Sequence, residues 1–243
     1  KERVARVGYY PFVCDQREFM DYQQNPKKID KLMLDLISQR IASWLELLVA
    51  NVDLKEKKAI VMPGNDDEKV IDPIIKSYED RGIIYPLEKA VNLCYDFEMI
   101  SLDYANPTPW NTPRECSEGE LKNKIDDLFR MVKDYSKTIC NFHCPPSGTR
   151  LDLARKLDKN LKPVLILGNP VFIHVGSKSV EDAIRKYQPM MGLHGHIHES
   201  FASDKIGNTI VVNPGSEYTE ALLRGFIIDF SERGVDKYWK VEG

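Results

Sequence analysis

GLHGHIHES, residues 192–200, places three of the chain's five histidines within five positions, between glycines and ahead of an acid and a serine. In an extended segment residues i and i+2 point to the same side, so His196 and His198 present two imidazoles to one region, and Gly195 leaves room for close approach. Imidazole is the commonest protein metal ligand. Two histidines do not complete a coordination shell. Asn65 and His143 are the natural recruits, because amide oxygen and imidazole suit hard-to-borderline cations such as Mn, Fe or Zn.

Asn65 and His143 come forward because of where their loops sit. PGNDD (63–67) follows the β-type run 58–62, FHCPP (142–146) follows the run 138–142, the histidine loop follows 189–193, and NPGS (213–216) follows 209–212. In α/β proteins sites are assembled from loops at strand ends, so these four loops are expected to converge. Each has a plainer reading when taken alone. PGNDD is also a turn feeding a helix N-terminus, His143 a structural histidine, and NPGS a turn. His174 has no partner motif and reads as structural. CNFHC offers a competing metal site, with Cys140, His143 and Cys144 as part of a structural zinc centre. It ranks below the first reading, since Cys140 and His143 point to opposite faces of an alternating strand.

The remaining chain interleaves strands and helices without repeats or a composition break. A strand is expected over 4–13. A helix follows over 29–49, with Leu32, Leu36, Ile37, Leu45 and Leu48 as one buried stripe. Further strands are expected over 90–95 and 97–102, a proline-rich surface loop over 104–116, and a helix from the Ser117/Glu120 capping box to about Tyr135. Ser179 with Asp182 caps a short helix that ends before Pro189, and two β-type runs, 225–230 and 235–241, close the chain. The fold class is mixed α/β in a single domain over 1–243, with 4–50 as a cap or peripheral segment.

At 243 residues and 42% hydrophobic, the chain buries a sizeable core. A net charge of -3 shows no basic excess, so nucleic acid and membrane surfaces are not the expected partners. No apolar run reaches the length of a membrane span. Five cysteines are an odd, sparse set that fits reduced thiols, and the expected location is cytoplasmic.

Taken together, GND followed by an acid, a histidine after a strand, GHxH and NPGS, in that order, resemble the later signature motifs of the calcineurin-like metallophosphoesterase superfamily, in the wording of its small prokaryotic members. The resemblance runs from about Lys58 onward. It implies a four-layer α/β/β/α sandwich with two mixed β-sheets, and hydrolysis of a phosphomonoester or phosphodiester by a water activated between two divalent ions (Mn, Fe or Zn), with a small phosphoester as substrate. By position, Asn65, His143 and His196 would bind the second metal and His198 the first.

Two departures matter. The superfamily's Asp-x-His and Gly-Asp motifs, which supply the first metal's other ligands and the bridging aspartate, have no counterpart: every histidine lies at 143 or later, and no glycine is followed by Asp. The first strand-helix-strand unit is therefore absent from this sequence, which is expected to be the larger C-terminal part of such an enzyme, holding at most one ion. Asp66 stands where many members carry a histidine, and a carboxylate beside dications is a poor proton donor. His194 is the candidate replacement acid, its plain alternative being a histidine satisfied by a backbone carbonyl. A catalytically incomplete scaffold is the alternative function, and oligomeric state is left open.

Overall fold

The computed structural model describes residues 2–5 and 9–243. They gather into two compact units. The first takes in the chain up to residue 63 with 68–85 and 218–221; the second takes in 64–67, 86–217 and 222–243.

The first unit opens with a single helical turn, α1 (Glu2–Ala5), and residues 9–13 carry no regular structure. The strand expected over 4–13 is thus absent where the chain is described, and residues 6–8 lie outside the described residues. Helix α2 (Gln16–Gln24) begins at a capping box in which Glu18 N donates to Asp15 Oδ1 (2.8 Å) and Asp15 N donates to Glu18 Oε2 (2.9 Å). Pro26 then opens α3 (Pro26–Asn51), at the position where a missing N–H costs nothing. Of the stripe expected on this helix only Leu45 is buried, while Trp44 and Leu47 are exposed. The reason is the shortness of its neighbour, α4 (Ile71–Lys76), whose following turn reaches α3 only near its C-terminal half: Tyr78 Oη donates to Glu46 Oε1 (2.8 Å) and Arg81 forks onto the same carboxylate. Two short strands, β1 (Ala59–Ile60) and β2 (Ile83–Ile84), pair in parallel.

The second unit is built on a mixed six-stranded sheet. Strand β3 (Ala90–Asn92) runs antiparallel to β4 (Glu98–Leu102), which is followed in chain order by helix α5 (Glu118–Phe129) and strand β5 (Thr138–Phe142). Four short strands, β6 (Leu153–Arg155), β7 (Leu165–Ile166), β8 (Asn169–Pro170) and β9 (Phe172–His174), make two small ribbons that the sequence pattern did not signal. Helix α6 (Lys178–Tyr187), strands β10 (Met191–Leu193), β11 (Ala202–Ile206) and β12 (Thr209–Asn213), and the terminal hairpin of β13 (Arg224–Ser231) and β14 (Gly234–Glu242) complete the unit. The sheet order is β11-β12-β10-β5-β4-β3, with β4, β5, β10 and β12 parallel and an antiparallel strand at each edge.

Register decides the site. Leu102 lies beside Phe142, Asn141 beside Leu193, and Leu193 beside Val212. Four parallel strands therefore end along one line. The loops that start at Asp103, His143, His194 and Pro214 leave the sheet together, as ligand-binding loops of α/β sheets do.

Helix α5 packs Leu121, Ile125, Leu128 and Phe129 inward, a spacing that follows one helical face. It opens at the expected Ser117/Glu120 box, and it ends at Phe129 rather than near Tyr135, because Asp134 caps a separate turn over Tyr135–Lys137. Phe129 stacks on Tyr187 at 3.9 Å and meets Phe142 edge-on. With Ile100, Val180, Ile184 and Val211 these residues form one buried cluster, each large side chain contributing about 1.5–3 kcal/mol. The N-cap of α6 is Ser177, whose Oγ accepts from Val180 N (3.2 Å). The Ser179/Asp182 cap is corrected accordingly: the Ser179 hydroxyl lies inside the first turn and donates to Glu118 O (2.7 Å). Among the described residues no helix is long and apolar enough to cross a membrane.

Candidate metal centre

Three side chains from three loops of the second unit meet at one atom. Asn65 Oδ1 lies 2.8 Å from His143 Nε2 and 2.8 Å from His196 Nδ1. The two rings sit 5.4 Å apart, centroid to centroid, at 66°. Hydrogen bonding fixes which end of the amide faces them. Asn65 Nδ2 donates to Thr112 Oγ1 (2.9 Å), whose own proton goes to Glu115 Oε1 (2.7 Å), so the threonine oxygen must accept and the amide nitrogen must be the donor. The oxygen is thereby aimed at the histidines.

Glycine makes this approach feasible. A Cβ on Gly64 would fall 2.7 Å from His143 Cε1, and one on Gly195 would lie 3.4 Å from His143 Nδ1. The His143 ring is held between two backbones that have no side chains, which is the close approach expected of Gly195. His143 also extends the sheet: its N–H donates to Leu102 O (2.8 Å) and its carbonyl accepts from Gly195 N (2.9 Å).

The histidine loop itself differs from the extended segment expected. The chain leaves β10 after Leu193, and His196 has φ +66° with Ile197 N donating to Gly195 O at 2.7 Å. This is a γ-turn in its rarer, strained form. Turn geometry, and not i/i+2 alternation, aims His196 at Asn65. His198 is exposed; it lies close enough to depress the basicity of both His143 and His196, yet its ring is not among the three groups that meet at Asn65 Oδ1.

His194 faces another way. Its Nδ1 donates to the carbonyls of Phe142 (2.9 Å) and Cys144 (3.0 Å), and its Nε2 is buried without a hydrogen-bond partner, against the backbone of Gly192. The ring ties the end of β5 to the end of β10, in keeping with the plain alternative for this residue. Asp66 is exposed, and its Oδ1 accepts from Asn65 Nδ2 at 3.2 Å.

Electrostatics keep the imidazoles neutral. Burial, reinforced by the neighbouring imidazoles, pushes His143 down to about 3. Burial likewise lowers His196, with Asp66 working in the opposite direction, and lowers His194 to about 4 against the pull of its two carbonyls. Neutral imidazole is the form that ligates metal. The competing zinc reading fares worse: Cys140 and Cys144 are fully buried, burial raises both thiols, Cys144 to about 12, and Cys144 Sγ donates to Asn106 Oδ1 (2.9 Å). These are packed thiols rather than poised thiolates. His174, read as structural, pairs with the buried Asp152 through Nδ1 (2.6 Å).

Sequence reasoning missed the residues that hold the centre in place. Arg114 and Asp103 form a buried ion pair (Nη1 to Oδ2, 2.6 Å; side chains 4% and 6% exposed). The Arg114 backbone N–H donates to Asn65 O (3.2 Å), and its Nε donates to Asp67 O (2.9 Å). The PGNDD loop is clamped by one residue from the proline-rich segment. Glu115 accepts from Thr108 and Thr112; burial would raise its carboxyl, but these four hydrogen bonds prevail and hold it at about 2. Asn213, fully buried, donates from Nδ2 to the carbonyls of Leu151, Gly195 and Ile197, so NPGS is the brace of the histidine loop as well as a turn. Glu115, two residues beyond Pro113 in a loop, carries no local signal; a fully buried Asn at a strand end is legible only once the strand is placed.

Among the described residues no three His, Cys, Asp or Glu side chains are grouped to hold a metal. The donor set here is one amide oxygen and two neutral imidazoles, which fits a single borderline divalent cation; no bridging carboxylate accompanies it, so a two-ion centre does not fit these residues alone.

No protein-family model matches the chain. A crystal structure superposes with a TM-score of 0.56 at 18% identity, over 82% of this chain and 74% of that one; this likeness shows the α/β fold alone. The crystal structure of TT1561 of Thermus thermophilus gives 0.48 at 17% identity, over 77% of this chain and 73% of that one. In sequence, the uncharacterized protein MJ1162 of Methanocaldococcus jannaschii is 34% identical over 201 residues, spanning 82% of this chain and 80% of that protein. On that extent of shared sequence, the chain belongs to the same family as MJ1162.

Proposed function

We propose that the protein is a metal-dependent phosphoesterase of the calcineurin-like kind, with the four-layer α/β/β/α arrangement of that superfamily. The observation that carries the reading is the convergence of Asn65 Oδ1, His143 Nε2 and His196 Nδ1 on one point. Asn65, His143 and His196 would hold one divalent cation of the Mn, Fe or Zn type, and His198 would contribute to a second ion, whose shell these residues alone do not complete. When bound, such ions polarise a phosphoryl oxygen and lower the pKa of a coordinated water.

The chain's own residues orient and exclude. Thr112 and Glu115 fix the Asn65 amide, Gly64 and Gly195 hold the His143 ring, and Asn213 braces the His196 turn. Asp66 accepts from the Asn65 amide and helps to position it. His194, bonded to two carbonyls, acts as a positioning residue that ties the ends of β5 and β10.

A second reading, a catalytically incomplete scaffold, is favoured by one observation: no third acidic, thiol or imidazole ligand is grouped with the two histidines among the described residues. Calorimetric titration with Mn²⁺ and Zn²⁺, followed by assay against nitrophenyl phosphomonoesters and phosphodiesters, separates the two. The enzyme reading expects uptake of about one ion per chain, abolished in Asn65→Leu and His143→Ala. Absence of uptake by the intact chain would favour the scaffold.

A further inference from the structure

Residues 153–174 form an arm with an unusual surface. Its base is the antiparallel pairing of β6 and β9. At its centre three backbones meet: Lys156 N donates to Val171 O (2.7 Å), Val164 N to Lys156 O (2.8 Å) and Val171 N to Val164 O (3.0 Å). From that junction two loops project. One is the turn over 158–162, closed by Asp158 N to Lys162 O (2.8 Å), and the other is the β7–β8 hairpin.

The hairpin tip is apolar where turns are ordinarily polar. Leu165, Ile166 and Leu167 are 58%, 63% and 97% exposed, and Leu161, Phe172 and Ile173 are exposed elsewhere on the same arm. Leu167 and Gly168 have φ +50° and +82°, a two-residue turn for which Asn-Gly is the favoured pair and a leucine is strained. A strained, almost fully solvated leucine on an apolar tip has no folding rationale, and contiguous exposed apolar surface marks an interaction site.

Charge identifies the occupant. Residues 155–173 contain four basic residues, Arg155, Lys156, Lys159 and Lys162, against the single acid Asp158, within a chain whose net charge is -3. All four basic residues are exposed. Whole-chain charge hides this local excess, which is why the sequence raised no expectation of a membrane partner. Apolar residues at a tip with lysine and arginine behind it are the chemistry of insertion at an anionic lipid surface. A second copy docking arm to arm would instead bring like charges together. We propose that this arm docks the protein reversibly on anionic membranes, with Leu165, Ile166 and Leu167 entering the interface and Arg155, Lys156, Lys159 and Lys162 meeting lipid phosphates.

Co-sedimentation of the full chain with vesicles of phosphatidylcholine, with and without a third of phosphatidylserine, tests this. The anionic vesicles should carry the protein down and release it as salt rises, while neutral vesicles should not. Lys159→Ala with Lys162→Ala should weaken binding by about 25-fold, at about fivefold per charge. Leu167→Asp should abolish it with an unchanged circular dichroism spectrum, since that side chain packs on nothing. Failure of the wild-type chain to bind, or equal binding to neutral vesicles, would overturn the proposal. So would a concentration-dependent dimer in sedimentation velocity that Leu167→Asp dissolves, which would assign the arm to a second copy.

Discussion

Replacing Arg114 by methionine probes both stability and the metal centre. The guanidinium is 4% exposed and faces Asp103 at 2.6 Å. It also donates to Asp67 O at 2.9 Å, which holds the loop that carries Asn65. Removing one partner of a buried ion pair typically costs about 3–5 kcal/mol, because a charge is left in the interior without its counter-ion, whereas replacing both partners by apolar groups is often close to neutral. Arg114→Met should therefore destabilise by about 3–5 kcal/mol, and Arg114→Met with Asp103→Leu should be more stable than Arg114→Met alone. Urea unfolding followed by far-ultraviolet circular dichroism measures both. The site should respond differently from the stability. The hydrogen bond to Asp67 O is lost in either variant, so the imidazole proton resonances of His143 and His196 should stay shifted in the double variant even as stability returns. A cost below about 1 kcal/mol for Arg114→Met, or a double variant weaker than the single, would refute this account of a buried pair clamping the loop.

Two further outcomes follow from the same contacts. Gly64→Ala places a methyl 2.7 Å from His143 Cε1; Gly64 does not occupy the left-handed region, so the displaced ring is the main effect, and calorimetric affinity for Mn²⁺ should fall at least tenfold, on the order of 1.4 kcal/mol, while unchanged affinity would mean that this ring position is not the binding one. Glu115 titrates near 2 in the fold against an ordinary value of 4.5; a depressed carboxyl contributes stability above its unfolded pKa that is lost as pH falls through the folded value, so unfolding titrations between pH 4.5 and 2 should show an acid-sensitive step that Glu115→Gln removes, and identical pH profiles would argue against it.

Local pattern carried far in this chain where the chemistry is local. The Ser117/Glu120 box, the strands expected over 97–102, 138–142 and 209–212, and the loops that follow strands all came from nearest-neighbour signals, and the structure forms them within a residue of those bounds. The same method failed where the decisive partner is distant or short. The stripe on α3 is half-solvated because its neighbour covers one end; Ser177 caps α6 because it holds the extended backbone of an N-cap, whereas Ser179 already lies within the helix; the small ribbons of 153–174 carry too few residues for a period to show. His196 reaches the cluster for a different reason from the one the spacing suggested, through a strained turn held by Asn213.

By itself, the sequence determined the donor chemistry, the order of the loops and their position at strand ends, since residue type and short-range periodicity follow from local sterics and hydrophobic patterning. Only the tertiary structure decided that Asn65 meets His143, 78 positions away, and His196, 131 positions away, that its amide oxygen rather than its nitrogen faces them, that Arg114 and Asp103 clamp its loop, and that a basic, apolar-tipped arm projects from a chain of net negative charge. Those outcomes depend on parallel-strand register and on long-range hydrogen bonds, which no local window of sequence contains.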